Sequence, residues 1–287
     1  MTSETGIMPI KQIILHQGCD KRSDVRLDAA CAIAERHGSH IIGVFVTGSA
    51  DVEAGKVFAT RLSEKGLSGE WHVFEDGEID VVTKASRFGD LTVVGQFDPD
   101  DENSSPMLTE HVVLGAVGPV LILPYAGTFA TLGERVMIAW DGGSAAARAV
   151  RNALPLIQNA NKVIVYTVES ASRTNPDHLD ISAYLARHGV QVEVNRGTIG
   201  SESDAVASTL QTVGGFGFQE RGAWTYTRHQ ALAEIGTGDA ILSAVSDDSI
   251  DLLVMGAYGH MRLWEMLFGG VTRQILTAMT VPVLMSN

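Results

Sequence analysis

The chain repeats itself. "IILHQGCDKRSDVRLDAACAIA", from Ile13, matches "VMIAWDGGSAAARAVRNALPLI", from Val136; each is a short apolar run, then a polar loop, then an amphipathic helix pattern. Further on, "DLTVVG" from Asp90 matches "DLLVMG" from Asp251, and "VGPVLILPY" matches "TVPVLMSN". Two copies of one unit follow, each running from a strand-loop-helix start to a short closing strand introduced by proline. The boundary falls near Ala126–Glu134, where "AGTFATLGE" lacks periodicity. One unit therefore covers residues 1–126 and the other 134–287.

Within each unit strands alternate with helices, so the fold class is α/β: a parallel sheet built from βαβ units, with helices on both faces. In the second unit the pattern predicts strands over Val136–Trp140, Val163–Val168, Val190–Val194, Leu252–Met255 and Val281–Met285. Helices are predicted over Ser144–Ala160, His178–Arg187, Ala240–Ser246 and Val271–Met279, with a kink at Pro155. Runs such as "LLVMG" lack polar alternation, as strands covered on both faces do. The second unit also carries a surplus of about 40 residues near 197–236, a length expected of a surface insertion or a functional lid.

Composition narrows the function classes. With 287 residues, 45% of them hydrophobic, there is ample material for a core, and no apolar run is long enough to span a bilayer. A net charge of −13 argues against broad nucleic-acid or anionic-membrane binding. The start, "MTSETGIMPIKQ", has neither a basic region nor an apolar stretch of a secretory signal, and the two cysteines, Cys19 and Cys31, read as free thiols. The expectation is a cytoplasmic protein.

The chemistry concentrates in "VMGAYGHMRLWEMLFGGVTRQIL". Gly256 ends a predicted strand, and Gly259 follows. Gly269 and Gly270 precede a helix whose free N–H groups and positive dipole end suit a phosphate. Thr272, in the first turn, supplies a hydroxyl. Asp141, just past the first strand of the same unit, is a carboxylate placed to accept hydrogen bonds from a ribose or base, or to cap the next helix. The first unit is a control. It has Gly18 for Asp141, Asp98 for Gly259 and Pro106 for Gly269, and its loop is two residues shorter. An acidic side chain repels phosphate, and proline at a helix start removes a donor. The first unit thus keeps the scaffold and loses the phosphate signals.

The spacing G-x2-G-x9-G from Gly256, together with the closing "VPVLMSN", resembles the universal stress protein family in its tandem two-domain form. The resemblance covers both units apart from the insertion. It implies a five-stranded parallel sheet per domain in the order 3-2-1-4-5, with ATP or a related adenine nucleotide between strands 1 and 4 and Mg²⁺ accompanying it. Carried over, Asp141 would contact the ribose or base and Val168 the adenine. Gly256 and Gly259 would flank ribose and phosphates, and Gly269, Gly270, Val271 and Thr272 would hold phosphates. The family's Ser or Thr after the third glycine is Gly270 here, which loses one hydroxyl donor; Arg262 and Arg273 are candidates to compensate. The family also implies pairing through the last strands, met within one chain by "VLILPY" and "VPVLMS", or in a homodimer.

No P-loop and no nucleophile elbow occurs, so rapid phosphoryl transfer is not expected and the chain is read as a binding protein rather than an enzyme. The alternatives are a non-nucleotide interaction or small-ligand module and a slow ATPase. The nine histidines are scattered; His37 and His40 read as surface groups, and His260 lies inside the glycine motif. Trp140 and Trp264 flank the predicted crevice and read as packing residues.

Overall fold

The computed structural model describes residues 9–46, 52–169, 180–198, 236–258 and 270–287. The first half contains β1 (Gln12–Gln17), α1 (Ser23–His37), β2 (His40–Val46), α2 (Val52–Glu64), β3 (Ser68–Phe74), α3 (Glu78–Ala85), β4 (Leu91–Gly95), α4 (Leu108–Gly115) and β5 (Val120–Leu123). The second contains β6 (Arg135–Ala139), α5 (Ser144–Ile157), β7 (Lys162–Glu169), α6 (Ile181–Arg187) and β8 (Glu193–Thr198). It continues with α7 (236–247), β9 (Leu252–Gly256), α8 (Gly270–Ala278) and β10 (Val283–Ser286).

The strands form one ten-stranded sheet in the order β3-β2-β1-β4-β5-β10-β9-β6-β7-β8. Each half is parallel in the order 3-2-1-4-5, and the halves join where β5 and β10 pair antiparallel, Leu121 opposite Leu284. That junction buries two strands that would otherwise be open edges.

Two residues seen in both sequence repeats explain the common register. Asp90 accepts from Lys11 N at 2.8 Å and Gln12 N at 3.0 Å, pinning the start of β1 to β4. Asp251 does the same for β6, accepting from Gly133 N, Glu134 N and Arg135 N at 2.9–3.1 Å. The prolines before the closing strands work alike: Thr92 N donates to Pro119 O and Leu253 N to Pro282 O, both at 3.0 Å. Proline lacks a donor, but its carbonyl still extends the ladder.

The core has two layers that run through both halves. On one face α1, α2, α5 and α6 pack through Leu27, Phe58, Val150 and Leu185. On the other α3, α4, α7 and α8 pack through Val82, Val112, Val245 and Ile275. No described helix is long and apolar enough to cross a membrane.

Several predicted bounds move. The third strand of the second half is Glu193–Thr198 rather than Val190–Val194. Val190 is buried and Val192 packs on the core, so those apolar residues belong to the turn that enters an exposed edge strand. α5 ends at Ile157, two residues past Pro155, instead of running to Ala160. α6 starts at Ile181, where the Asp180 carboxylate accepts from Ser182 N at 2.8 Å. α7 begins at 236, and residues 199–235 of the predicted insertion lie outside the described residues.

Candidate functional site

In a 3-2-1-4-5 sheet the strand order reverses between strands 1 and 4, and the crevice beyond their carboxyl ends is the natural ligand position. In the second half this is the space past β6 and β9. Asp141 lies two residues beyond β6 and is exposed; its Oδ1 accepts from Gly143 N at 2.7 Å. That is an Asx turn leading into Gly143, the N-cap of α5, so Asp141 shapes the loop ahead of the helix. Val168 lies near the end of β7, partly buried against the core opposite Gly197. Trp140 is partly buried and packed on the core, and its backbone N–H donates to Tyr166 O at 2.9 Å. Of the remaining predicted site residues, Gly259, Gly269, His260, Arg262 and Trp264 lie outside the described residues.

Gly256 has a structural cause. A Cβ there would collide with Ala146 N and lie 2.6 Å from the carbonyl carbon of Ala145, because the end of β9 runs directly against the start of α5. Gly95 ends β4 in the same place and is also crowded, though by a side-chain end, its missing Cβ lying 2.7 Å from Arg26 Nη1. Both halves keep this glycine, so it belongs to the scaffold. Thr272 follows the same logic. It is buried, about 4% exposed, and its Oγ1 accepts from Tyr258 N at 3.5 Å. Its counterpart Thr109 is also buried and donates to Gly95 O at 2.6 Å. In both halves the threonine ties the closing helix to the end of the fourth strand. Gly270 is the first residue of α8, and Val271 packs partly buried on the core. Arg273 is exposed and near enough to Glu110 of α4 to act on it: burial raises the Glu110 carboxyl and Arg273 pulls it down.

The first-half crevice is closed by its own side chains. Arg26 in α1 is about 2% exposed. Its Nε donates to His16 O at 3.0 Å, its Nη1 to Asp20 Oδ1 at 2.8 Å and its Nη2 to Asp20 Oδ2 at 2.5 Å, a bidentate pair. Burial would raise the Asp20 carboxyl, but the Arg26 guanidinium overrides it and holds Asp20 below its ordinary value. His16 Nε2 sits 3.0 Å from Glu78 Oε1, and burial holds the imidazole below its ordinary value against the upward pull of Glu78. The loop after β4 folds over this cluster, with Asp101 Oδ2 accepting from Lys21 N at 2.8 Å. A cavity of about 20 Å³ is left. A nucleotide requires some hundreds of Å³.

The second half lacks this plug. The buried positions of α1 (Arg26, Leu27, Ala30, Cys31, Ile33, Ala34) recur one for one in α5 as Ala149, Val150, Ala153, Leu154, Leu156 and Ile157. Ala149 therefore stands where the first half has Arg26, and Gly143 where it has Asp20. Sequence reading identified Asp98 and Pro106 as the marks of a lost site. Pro106 is two residues ahead of α4 and outside the helix. The larger change, Arg26 with Asp20, was missed; its signal was an arginine aligned with a core alanine.

Comparison with known proteins agrees with this architecture. The model of the universal stress protein family matches residues 133–287. The chain belongs to the universal stress protein family. A universal stress protein of Synechocystis is 44% identical over 46 residues, 16% of this chain and 16% of that relative's length. Among solved structures, a universal stress protein from Archaeoglobus fulgidus DSM 4304 superimposes with a TM-score of 0.64 at 15% identity, covering 96% of this chain and 98% of that one. A functionally unknown protein from Pseudomonas aeruginosa PAO1 gives 0.63 at 16% identity, covering 98% and 93%. At such identities the likeness is one of fold. The universal stress fold alone does not specify a ligand, and among the described residues no three His, Cys, Asp or Glu side chains gather as metal ligands.

Proposed function

We propose that this chain is a stress-response protein that binds an adenine nucleotide, ATP in the first instance, in the crevice past β6 and β9. The first half is its closed, non-binding partner. One observation carries the reading: Ala149 and Gly143 take the positions where Arg26 and Asp20 fill the first-half crevice. The Arg26–Asp20 plug is thus absent from the half that also carries Asp141 and the glycine spacing from Gly256. In this reading Asp141 turns its carboxylate to a ribose or base and Val168 lines the adenine. Backbone N–H groups at Gly269, Gly270, Val271 and Thr272 receive the phosphates. Mg²⁺ enters with the phosphates rather than on a protein cage.

The sequence has no P-loop motif and no nucleophile elbow, so the reading is of binding with at most slow hydrolysis. Gly270, in place of a hydroxyl donor, favours a second reading in which the crevice takes a small ligand that is not a nucleotide. Calorimetric titration with ATP and Mg²⁺, beside a Gly259→Asp variant that copies Asp98, separates them. About one nucleotide per chain, lost in the variant, is the expected result. No heat and no thermal stabilisation in the unmodified protein would overturn the nucleotide reading.

A further inference from the structure

The two halves do more than share a sheet. Gln96, the first residue past β4, is buried, about 6% exposed. Its Nε2 donates to Leu276 O at 2.9 Å and Thr277 O at 3.1 Å, and its Oε1 accepts from Tyr125 N at 3.1 Å. Leu276 and Thr277 are in the last turn of α8, where carbonyls have no partner inside the helix; Met279 N takes only the one before, Ile275 O. A first-half side chain thus caps the carboxyl end of the helix whose first turn, through Thr272, meets the chain just past β9.

The reverse contact is weaker. Asn287 Nδ2 donates to Leu114 O in the last turn of α4 at 3.3 Å, and that bond is exposed. The residue of the second half that matches Gln96 is Ala257, which has no amide to offer. The buried cap therefore runs one way, from the closed half to the half with the nucleotide spacing.

We infer that Gln96 is a positioning residue for the nucleotide site, an inference that rests on the nucleotide reading above. The amide is fixed at both ends, by Tyr125 N and by α8. The helix is a short rod, so a shift at Leu276 is carried to Gly270 almost undiminished. Donors to phosphate work only within a few tenths of an ångström of their best distance. The closed half contributes to binding by setting where α8 stands. Glu110, close to Arg273 and Tyr258, lines the same seam.

Two variants test this in the full chain, Gln96→Leu and Gln96→Glu, with ATP affinity and hydrogen exchange at residues 270–278 as readouts. Gln96→Leu removes both donor and acceptor; ATP affinity falls about three- to tenfold, in line with one or two lost hydrogen bonds, and α8 amides exchange faster. Gln96→Glu keeps the acceptor for Tyr125 N but turns a carboxylate to the α8 carbonyls; it is weak at pH 8 and recovers towards pH 5, where a protonated carboxyl donates again. That pH profile is absent from Gln96→Leu. Unchanged affinity and exchange, or equal pH-independent losses in both variants, would overturn the inference. If the unmodified chain binds no ATP, the nucleotide reading falls. Exchange at α8 then decides on its own whether Gln96 sets the helix.

Discussion

Replacing Arg26 with methionine keeps most of the buried stem and removes the guanidinium, with its bonds to His16 O and to both oxygens of Asp20. The Arg26 and Asp20 side chains are about 3% and 12% exposed, so the substitution leaves a carboxylate with little water and without its bidentate partner. Removing one partner of such a pair costs about 3–5 kcal/mol, whereas replacing both by neutral groups is often close to neutral. Asp20→Asn retains an oxygen for Arg22 N, which Asp20 accepts at 2.9 Å. The double variant Asp20→Asn/Arg26→Met is therefore expected to recover at least about 2 kcal/mol of the single loss. Urea unfolding at pH 7 on the four proteins of the cycle measures it. The sign of the pH effect adds a second check. In the unmodified chain the depressed Asp20 contributes stability above its ordinary value of 3.8 and loses it only as pH falls through the lower folded value. Without Arg26, burial raises that carboxyl, so Arg26→Met regains relative stability as the medium is acidified. If Arg26→Met costs under about 1 kcal/mol, or as much as the double variant at every pH, Arg26 is not a buried counter-charge and does not close the crevice.

Three further outcomes are expected. Gly256→Ala drives a Cβ into the backbone of Ala145 and Ala146 and costs about 1–3 kcal/mol, more than Gly95→Ala, which meets only the end of the Arg26 side chain; denaturation midpoints in the reverse order would contradict this. Asp251→Ala releases the N–H groups of Gly133, Glu134 and Arg135, costs about 1–3 kcal/mol and speeds their exchange; unchanged exchange there would remove Asp251 as the clamp on β6. His16 is held below 6.5 in the folded chain, so its stability contribution is present above that pH and declines as pH falls from 6.5 towards the folded value. Urea midpoints between pH 8 and 5 fall more steeply for the unmodified chain than for His16→Phe, and equal slopes would remove His16 as the source.

The architecture was legible because the signals that set it are local and doubled. Asp90 and Asp251 stand at matching points before apolar strands, and Pro119 and Pro282 before the closing ones; in each pair the structure gives both residues the same bonds. The third strand of the second half was misplaced because an edge strand has no buried face to impose an apolar pattern: Glu193–Thr198 reads as polar loop. In the candidate site, spacing alone did not sort glycines by cause. Gly256 is fixed by the approach of α5, and Thr272, like Thr109, by a bond to the backbone near the end of the fourth strand, though Thr272 accepts from Tyr258 N where Thr109 donates to Gly95 O; Asp141 is exposed and turns the loop ahead of α5. Arg26 was hidden because an arginine in an amphipathic helix reads as surface until its partner, Asp20, is seen to turn back onto it.

Covalent mapping with a photoreactive adenine nucleotide on the full chain, read by peptide mass spectrometry and competed with ATP, decides which half holds the nucleotide. Label confined to peptides from residues 134–287, near one per chain and suppressed by ATP, is expected. Label in the first half, or label that ATP does not suppress, would contradict a nucleotide site in the second half.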